Sequence, residues 1–228
     1  MLPGTNLTRT ICRSAPNINW LFVDLEHGNI SNDSMHEIVA AAAACGTLPI
    51  VRTAESQHWM IKRALDGGAH GIMVPMIENV NDATRVVEDS KFPPRGKRYG
   101  QIRQLTGVEY LQQADKCLNI DASAAIDGID VLFIGPFDLS VNMGCLISGA
   151  DEEDYAPQLR DAILRIYHAG KRNGKAVGVY TGTGARGKAY AKSGFQMINH
   201  VALYFRIITD MVGLKNVVIG EFEVAGVQ

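Results

Sequence analysis

The sequence predicts an α/β fold of repeated βα units, with a (β/α)8 barrel as the nearest closed arrangement, and three observations carry that expectation. Short apolar, β-branched runs alternate with helix-patterned stretches, as βα units do. The runs are apolar at consecutive positions rather than alternate ones, which is how strands of a parallel sheet buried on both faces read. Acid, imidazole and guanidinium side chains stand just after the runs, where parallel α/β folds gather their chemistry. An open doubly wound sheet is the structural alternative.

In chain order, the strand-like runs are "WLFVDL" (20–25), "LPIVRT" (48–53), "GIMVPMI" (71–77), "VLFIG" (131–135), "AVGVYT" (176–181) and "FQMINHV" (195–201). A weaker one within 7–12 makes seven arguable. Helical patterns fill 34–45, 58–66, 80–89, 159–172 and 188–193, each stopping near Gly or Asn as helix ends do. One irregularity interrupts the alternation. After the helix at 80–89 come a loop, "KFPPRGKRYGQ" (91–101), and two helix-like stretches in succession, "GVEYLQQADKCL" and "NIDASAAIDG". No β-branched run separates them, so the expected barrel is incomplete or distorted by loss of one strand between Leu118 and Asn119. The loop at 91–101 is dense in Pro, Gly and base, and reads equally as an active-site cover or a solvated connector.

With 228 residues, 46% hydrophobic and 20% charged, the chain reads as a single domain over 1–228. A formal net charge of −2, with scattered Lys and Arg, gives no electrostatic footprint for nucleic acid or an anionic membrane. A small molecule is the expected partner. Cys12, Cys45, Cys117 and Cys145 lie far apart in sequence with no C-x-x-C pair, which argues against a zinc knuckle or a disulfide framework. The N-terminus has no apolar leader and no window reaches the length of a membrane helix, so a cytoplasmic protein is expected.

The polar residues at the strand ends then become the candidate site. "FVDLEHG" places Asp24, Glu26 and His27 after the first run, "VRT" places Arg52 after the second, and "GPFD" places Phe137 and Asp138 after a later one. Each has a structural explanation taken singly: a loop histidine, a surface ion pair, a helix cap. Together they assemble acid, base and guanidinium at one sheet edge.

"FVDLEHG", "LPIVRT", "ALDGGAHGIMVPMIENVNDATRVV", "FPPRGKRYG" and "DGIDVLFIGPFDLSVNMG" together resemble, in order, the HpcH/HpaI aldolase family of metal-dependent pyruvate aldolases. The resemblance implies a homo-oligomeric (β/α)8 barrel that cleaves a 4-hydroxy-2-oxo acid to pyruvate, or a close analogue, plus an aldehyde. It implies a divalent cation, Mg²⁺ or Mn²⁺, as cofactor. On the matching positions, His27 resembles the general base, Arg52 the stabiliser of the developing enolate, and Asp66 the acid that raises the histidine's basicity, which in the family can come from a neighbouring subunit. Asp138 resembles a metal ligand, and Phe137 offers a backbone contact to substrate, while Asp24 and Glu26 support them. A Schiff-base mechanism would need a lysine at a strand end, and Lys62 and Lys175 are placed elsewhere.

The chain departs from the family where relatives carry a strand ending in Gln-x-Glu, whose Glu is the second metal carboxylate. That strand would fall at the Leu118–Asn119 junction, so a catalytically impaired or non-catalytic relative, from a truncated gene model or splice form, is the alternative. A third reading takes "GTGARGKA" (182–189), which approaches G-x-x-x-x-G-K-[ST], as a nucleotide phosphate loop; Ala189 stands where the Mg²⁺-binding hydroxyl would be. A milder version has the same loop touch the distal end of the substrate.

Overall fold

A computed structural model describes residues 3–14, 18–77, 79–98, 106–111, 120–145, 147 and 155–200. Helix α1 (Thr5–Cys12) leads into β1 (Trp20–Asp24), followed by α2 (Asn32–Ala43), β2 (Leu48–Arg52), α3 (His58–Asp66), β3 (Gly71–Val74) and α4 (Val80–Ser90). The second half runs β4 (Thr106–Leu111), α5 (Ile120–Ala124), β5 (Ile129–Ile134), α6 (Pro136–Asn142), α7 (Pro157–Arg172), β6 (Ala176–Thr181), α8 (Gly184–Lys192) and β7 (Met197–His200). All seven strands are parallel and lie side by side in chain order, β1 to β7. Sequential parallel order is the winding of a (β/α) barrel, not of a doubly wound sheet whose strand order reverses at a switch point.

The register sorts side chains into two faces. Val23, Val51 and Ile72 share one row, and Val74, Leu132 and Val177 another; these are buried in the large cluster that the helices complete. Alternate rows face the other way: Phe22 pairs with Ile50, Asp24 with Arg52 and Met73, and Phe133 with Gly178. Ile50, Met73 and Phe133 form a separate small core with Trp20, Phe22 and Tyr180 packed against it. A side chain at Gly178 would meet the Phe133 ring at 2.5 Å, so the glycine makes room for that aromatic. Two buried faces explain why the strands read as continuous apolar runs.

Two expectations are corrected. No strand is missing between β3 and β5: Thr106–Leu111 pairs with both, although "GVEYLQQADKCL" reads as helical. Hydrogen bonding to strands on both sides overrides a weak local pattern, and a bulge between Gly107 and Val108 adjusts the register. The junction of Leu118 and Asn119 lies outside the described residues. The weak strand placed within 7–12 is helix α1, whose buried Thr8 and Cys12 lie four residues apart on one face. Among the described residues β7 does not pair with β1, so what is described is an open seven-stranded sheet, one strand short of the eight of a closed barrel.

Candidate active site

The carboxyl ends of β1 and β2 are held together by a buried ion pair. Asp24 and Arg52 are register partners at the last positions of their strands. Arg52 Nε donates to Asp24 Oδ1 at 2.8 Å and Nη2 to Oδ2 at 2.6 Å, a two-pronged contact that fixes the guanidinium plane. Asp24 also accepts from the backbone N–H groups of Glu26 and His27, at 3.1 and 3.3 Å. Burial alone would raise the Asp24 carboxyl, but Arg52 and these amides outweigh it and hold it below its ordinary value of 3.8. Arg52 further stacks over the Phe22 ring, 5.0 Å from its centroid.

The same turn carries Glu26 and His27 over the pair. Glu26 Oε2 lies 3.1 Å from Arg52 Nη1 and 3.7 Å from His27 Nε2. Burial pushes the Glu26 carboxyl up; the charges of Arg52 and His27 oppose that, and those of Asp24 and Asp138 add to it. The coupling to Asp138 brings the β5 end into the same electrostatic unit. There the chain leaves Ile134, passes Gly135 and starts α6 with Pro136, whose missing N–H costs nothing at a helix start. Asp138 follows in the first turn, and Ser140 Oγ donates to Phe137 O at 2.6 Å to tighten it. Phe137 and Met76 are exposed apolar side chains at the ends of β5 and β3. Met76 has φ of 59°, a strained setting for a non-glycine residue, at a strand end where such strain is often functional.

The structure therefore joins Asp24, Glu26, His27, Arg52 and Asp138 at one edge. It does not bring Asp66 to them within one chain. Asp66 ends α3, on the opposite side of the sheet from the β1 turn, and is bound by Lys62 and by Arg98, whose Nη2 lies 2.9 Å away. Burial opposes ionisation there, but both cations hold the Asp66 carboxyl below its ordinary value. Arg98 also decides between the two readings of the loop at 91–101, cover or connector. Its described part, 91–98, connects the end of α4 towards the start of β4, at the amino edge of the sheet. Lys97 N–H donates to Glu88 O and Arg98 N–H to Lys91 O, at 2.7 and 3.0 Å. Gly96 passes so close to Glu88 O that a Cβ would sit 2.3 Å from it. This segment is a pinned connector at the far end from His27. The proline-, glycine- and base-rich composition could not distinguish the two ends; the following strand, once found, does.

"GTGARGKA" is not a phosphate loop: α8 already starts at Gly184, and Thr183 Oγ1 caps it by accepting from Arg186 N–H at 3.3 Å. The glycine and lysine that would cradle phosphate, Gly187 and Lys188, are inside the helix.

An oxygen-donor edge with a locked guanidinium, at the carboxyl ends of parallel strands, defines a βα-type enzyme site suited to an anionic, oxygen-rich substrate. Comparison with known proteins makes that class specific. The model of the HpcH/HpaI aldolase/citrate lyase family matches residues 3–201. A 2-dehydro-3,6-dideoxy-6-sulfogluconate aldolase of Pseudomonas putida is 32% identical over 195 residues, 78% of this chain and 74% of that protein. A hydroxypyruvate/pyruvate aldolase of Agrobacterium fabrum is 32% identical over 214 residues, 86% of this chain and 78% of its own length. The crystal structure of an HpcH/HpaI aldolase/citrate lyase family protein from Burkholderia cenocepacia superposes with a TM-score of 0.82 at 26% identity, covering 94% of this chain and 90% of that one. The chain belongs to the HpcH/HpaI aldolase/citrate lyase family. It is an enzyme of the aldolase kind.

Proposed function

We propose that the protein cleaves a 4-hydroxy-2-oxo acid to pyruvate or a close analogue and an aldehyde, with a divalent cation held at Asp138. The observation that carries this reading is the Asp24–Arg52 lock, with His27 mounted on the turn that the same carboxylate organises. Asp24 takes Nε and one side of Nη2, and thereby aims the Nη1 end of Arg52 at the region that Glu26 and His27 border. A guanidinium is always charged, so this end is a preset donor where negative charge grows.

His27, with its side chain 64% exposed, is accessible to substrate. As the neutral imidazole it takes the proton of the C4 hydroxyl; the C3–C4 bond breaks, the aldehyde carbonyl forms, and the electron pair becomes the enolate of pyruvate. Arg52 stabilises the enolate oxygen, and a proton returned to C3 completes pyruvate. Two carboxylates at this edge, Asp138 and Glu26, offer the hard oxygen donors that Mg²⁺ and Mn²⁺ prefer, and substrate oxygens would add to them. Among the described residues there is no cluster of three or more potential metal ligands. When bound, the cation polarises the 2-oxo group.

Asp66 would reach His27 only from another copy, so a homo-oligomer is part of this reading; its ion-paired carboxylate still borders solvent, as that contact requires. The expected setting is cytoplasmic; among the described residues no helix is long and apolar enough to cross a membrane. The test is pyruvate release from a 4-hydroxy-2-oxo acid by metal-stripped protein with and without added Mg²⁺ or Mn²⁺. Stimulation by metal is expected; no release in either arm overturns the proposal.

A further inference from the structure

The first turn of α8 holds a guanidinium that the fold fixes in place but does not neutralise. Arg186 is the third residue of α8, and its backbone N–H is taken by the capping Thr183 Oγ1. Its side chain reaches the residues just before α7, where Nη1 donates to Tyr155 Oη at 2.6 Å and the guanidinium stacks on the Tyr155 ring, 4.7 Å from its centroid. Tyr155 is buried in the main core, so the platform under the guanidinium is fixed. Arg186 Nε and Nη2 are buried and have no hydrogen-bond partner, and no described carboxylate pairs with this residue. These two atoms form the edge that, in Arg52, engages both oxygens of Asp24. In Arg186 the same edge is open. Helix electrostatics sharpen the mismatch: the first turn of α8 carries no acid, so the positive end of the helix meets a cation. A charged group with two buried donors and no acceptor is an unfavourable arrangement unless an anion completes it.

We propose that Arg186 is the anchor of a small-oxyanion site at the start of α8, gripping a carboxylate, sulfonate or phosphate through Nε and Nη2. The backbone of this turn is not a nucleotide loop, since Gly187 and Lys188 lie inside the helix; the side chain is the recognising element. Two parallel N–H groups match two oxygens of one oxyanion, and the contact to Tyr155 presets their plane. Solvent reaches neither donor, so the ligand displaces the packing that covers them as it binds. The oxyanion has two possible sources. Helix α8 starts at the carboxyl edge after β6, the neighbour of the strand that leads to Asp138, so one source is the far end of the substrate. That source rests on the aldolase reading. The other is free phosphate, bound apart from the chemistry.

The experiment measures thermal unfolding of the full chain in inorganic phosphate and in chloride at equal ionic strength. The wild type should melt several degrees higher in phosphate, because only the folded chain presents the fork. Arg186→Lys, which keeps the charge but loses the fork, should lose most of that difference, and Arg186→Met all of it. No phosphate-dependent rise in the wild type, or an equal rise in Arg186→Met, would overturn the site; if Arg186→Met does not fold, an equal rise in Arg186→Lys overturns it instead. A second arm reads the source by comparing 4-hydroxy-2-oxo acids of one length that end in a carboxylate or in a methyl group. If the oxyanion is the substrate's far end, the wild type prefers the carboxylate by about tenfold or more in kcat/KM, Arg186→Lys loses the preference, and phosphate competes with that substrate. If the source is free phosphate, the rise in melting temperature stands without competition or preference. Melting needs no turnover, so a chain that binds phosphate through Arg186 yet releases no pyruvate would overturn the aldolase reading and support this site.

Discussion

Among the described residues two arginines are buried, Arg52 and Arg98, and their settings differ in a way that matches the chemistry proposed for the first and the scaffolding done by the second. Arg52 lies at the carboxyl edge against an Asp24 that is fully buried, and its Nη1 end is directed to the Glu26–His27 turn. Arg98 is 1% exposed, stacks on Phe92 at 4.6 Å, and binds an Asp66 that still reaches solvent. Its job is to hold residues 91–98 against α3, and it leaves Nη1 without a hydrogen-bond partner among the described residues. Both guanidinium groups meet a carboxylate through Nε and Nη2, but Arg52 engages both oxygens of Asp24, which fixes its plane, whereas Arg98 reaches a single oxygen of Asp66.

The largest expected effect tests that difference directly. Asp24→Ala leaves Arg52 buried without its counter-ion and should cost about 3–5 kcal/mol of stability in urea unfolding, together with the loss of activity. Asp66→Ala should cost less, about 1–2 kcal/mol, because its partner pair borders solvent. If the two substitutions cost the same, the contrast between the edges fails.

His27→Ala reverses the balance between function and fold. It should lower kcat/KM by about 10²–10⁴-fold, the range of a lost general base. Unfolding should shift by no more than about 0.5 kcal/mol, as for exposed positions. Mixing inactive His27→Ala and Asp66→Ala proteins, with subunit exchange, should restore part of the activity if Asp66 serves another copy's His27; mixtures that stay inactive would confine Asp66 to its structural pairing with Arg98.

The smallest effect is the pH dependence. Asp24 has a folded value below its ordinary 3.8, so its contribution to stability is present above that value and is lost as pH falls through the depressed one. Glu26 has the opposite sign: its folded value lies above 4.5, so its contribution is present below 4.5 and is lost as pH rises through the raised value. Unfolding of Asp24→Asn should therefore show less loss of stability between about pH 5 and pH 3 than the wild type. Unfolding of Glu26→Gln should be flatter just above pH 4.5.

Much of this was legible in the sequence, and the exceptions have physical causes. Continuous apolar runs marked β1, β2, β3, β5, β6 and β7 because both faces are buried, and the 58–66 pattern gave the bounds of α3. β4 was invisible because "TGVEYL" lacks such a run; its place is set by pairing with both neighbours, which only the folded sheet supplies. The edge residues Asp24, Arg52 and Asp138 were readable from strand-end position. The bridging place of Glu26, and the division of labour between Arg52 and Arg98, depend on distances between strands and helices that no spacing encodes.

The central claim is that Arg52 and His27 make and stabilise an enolate, and it can be measured without knowing the aldehyde. Pyruvate incubated with the enzyme and Mg²⁺ or Mn²⁺ in D₂O should take up deuterium at its methyl group, followed by mass spectrometry. The account predicts metal-dependent exchange that Arg52→Lys, which keeps the charge but loses the fork, reduces strongly and Asp138→Ala abolishes. Exchange that proceeds equally well in Arg52→Lys, or that ignores the metal and Asp138, would contradict it.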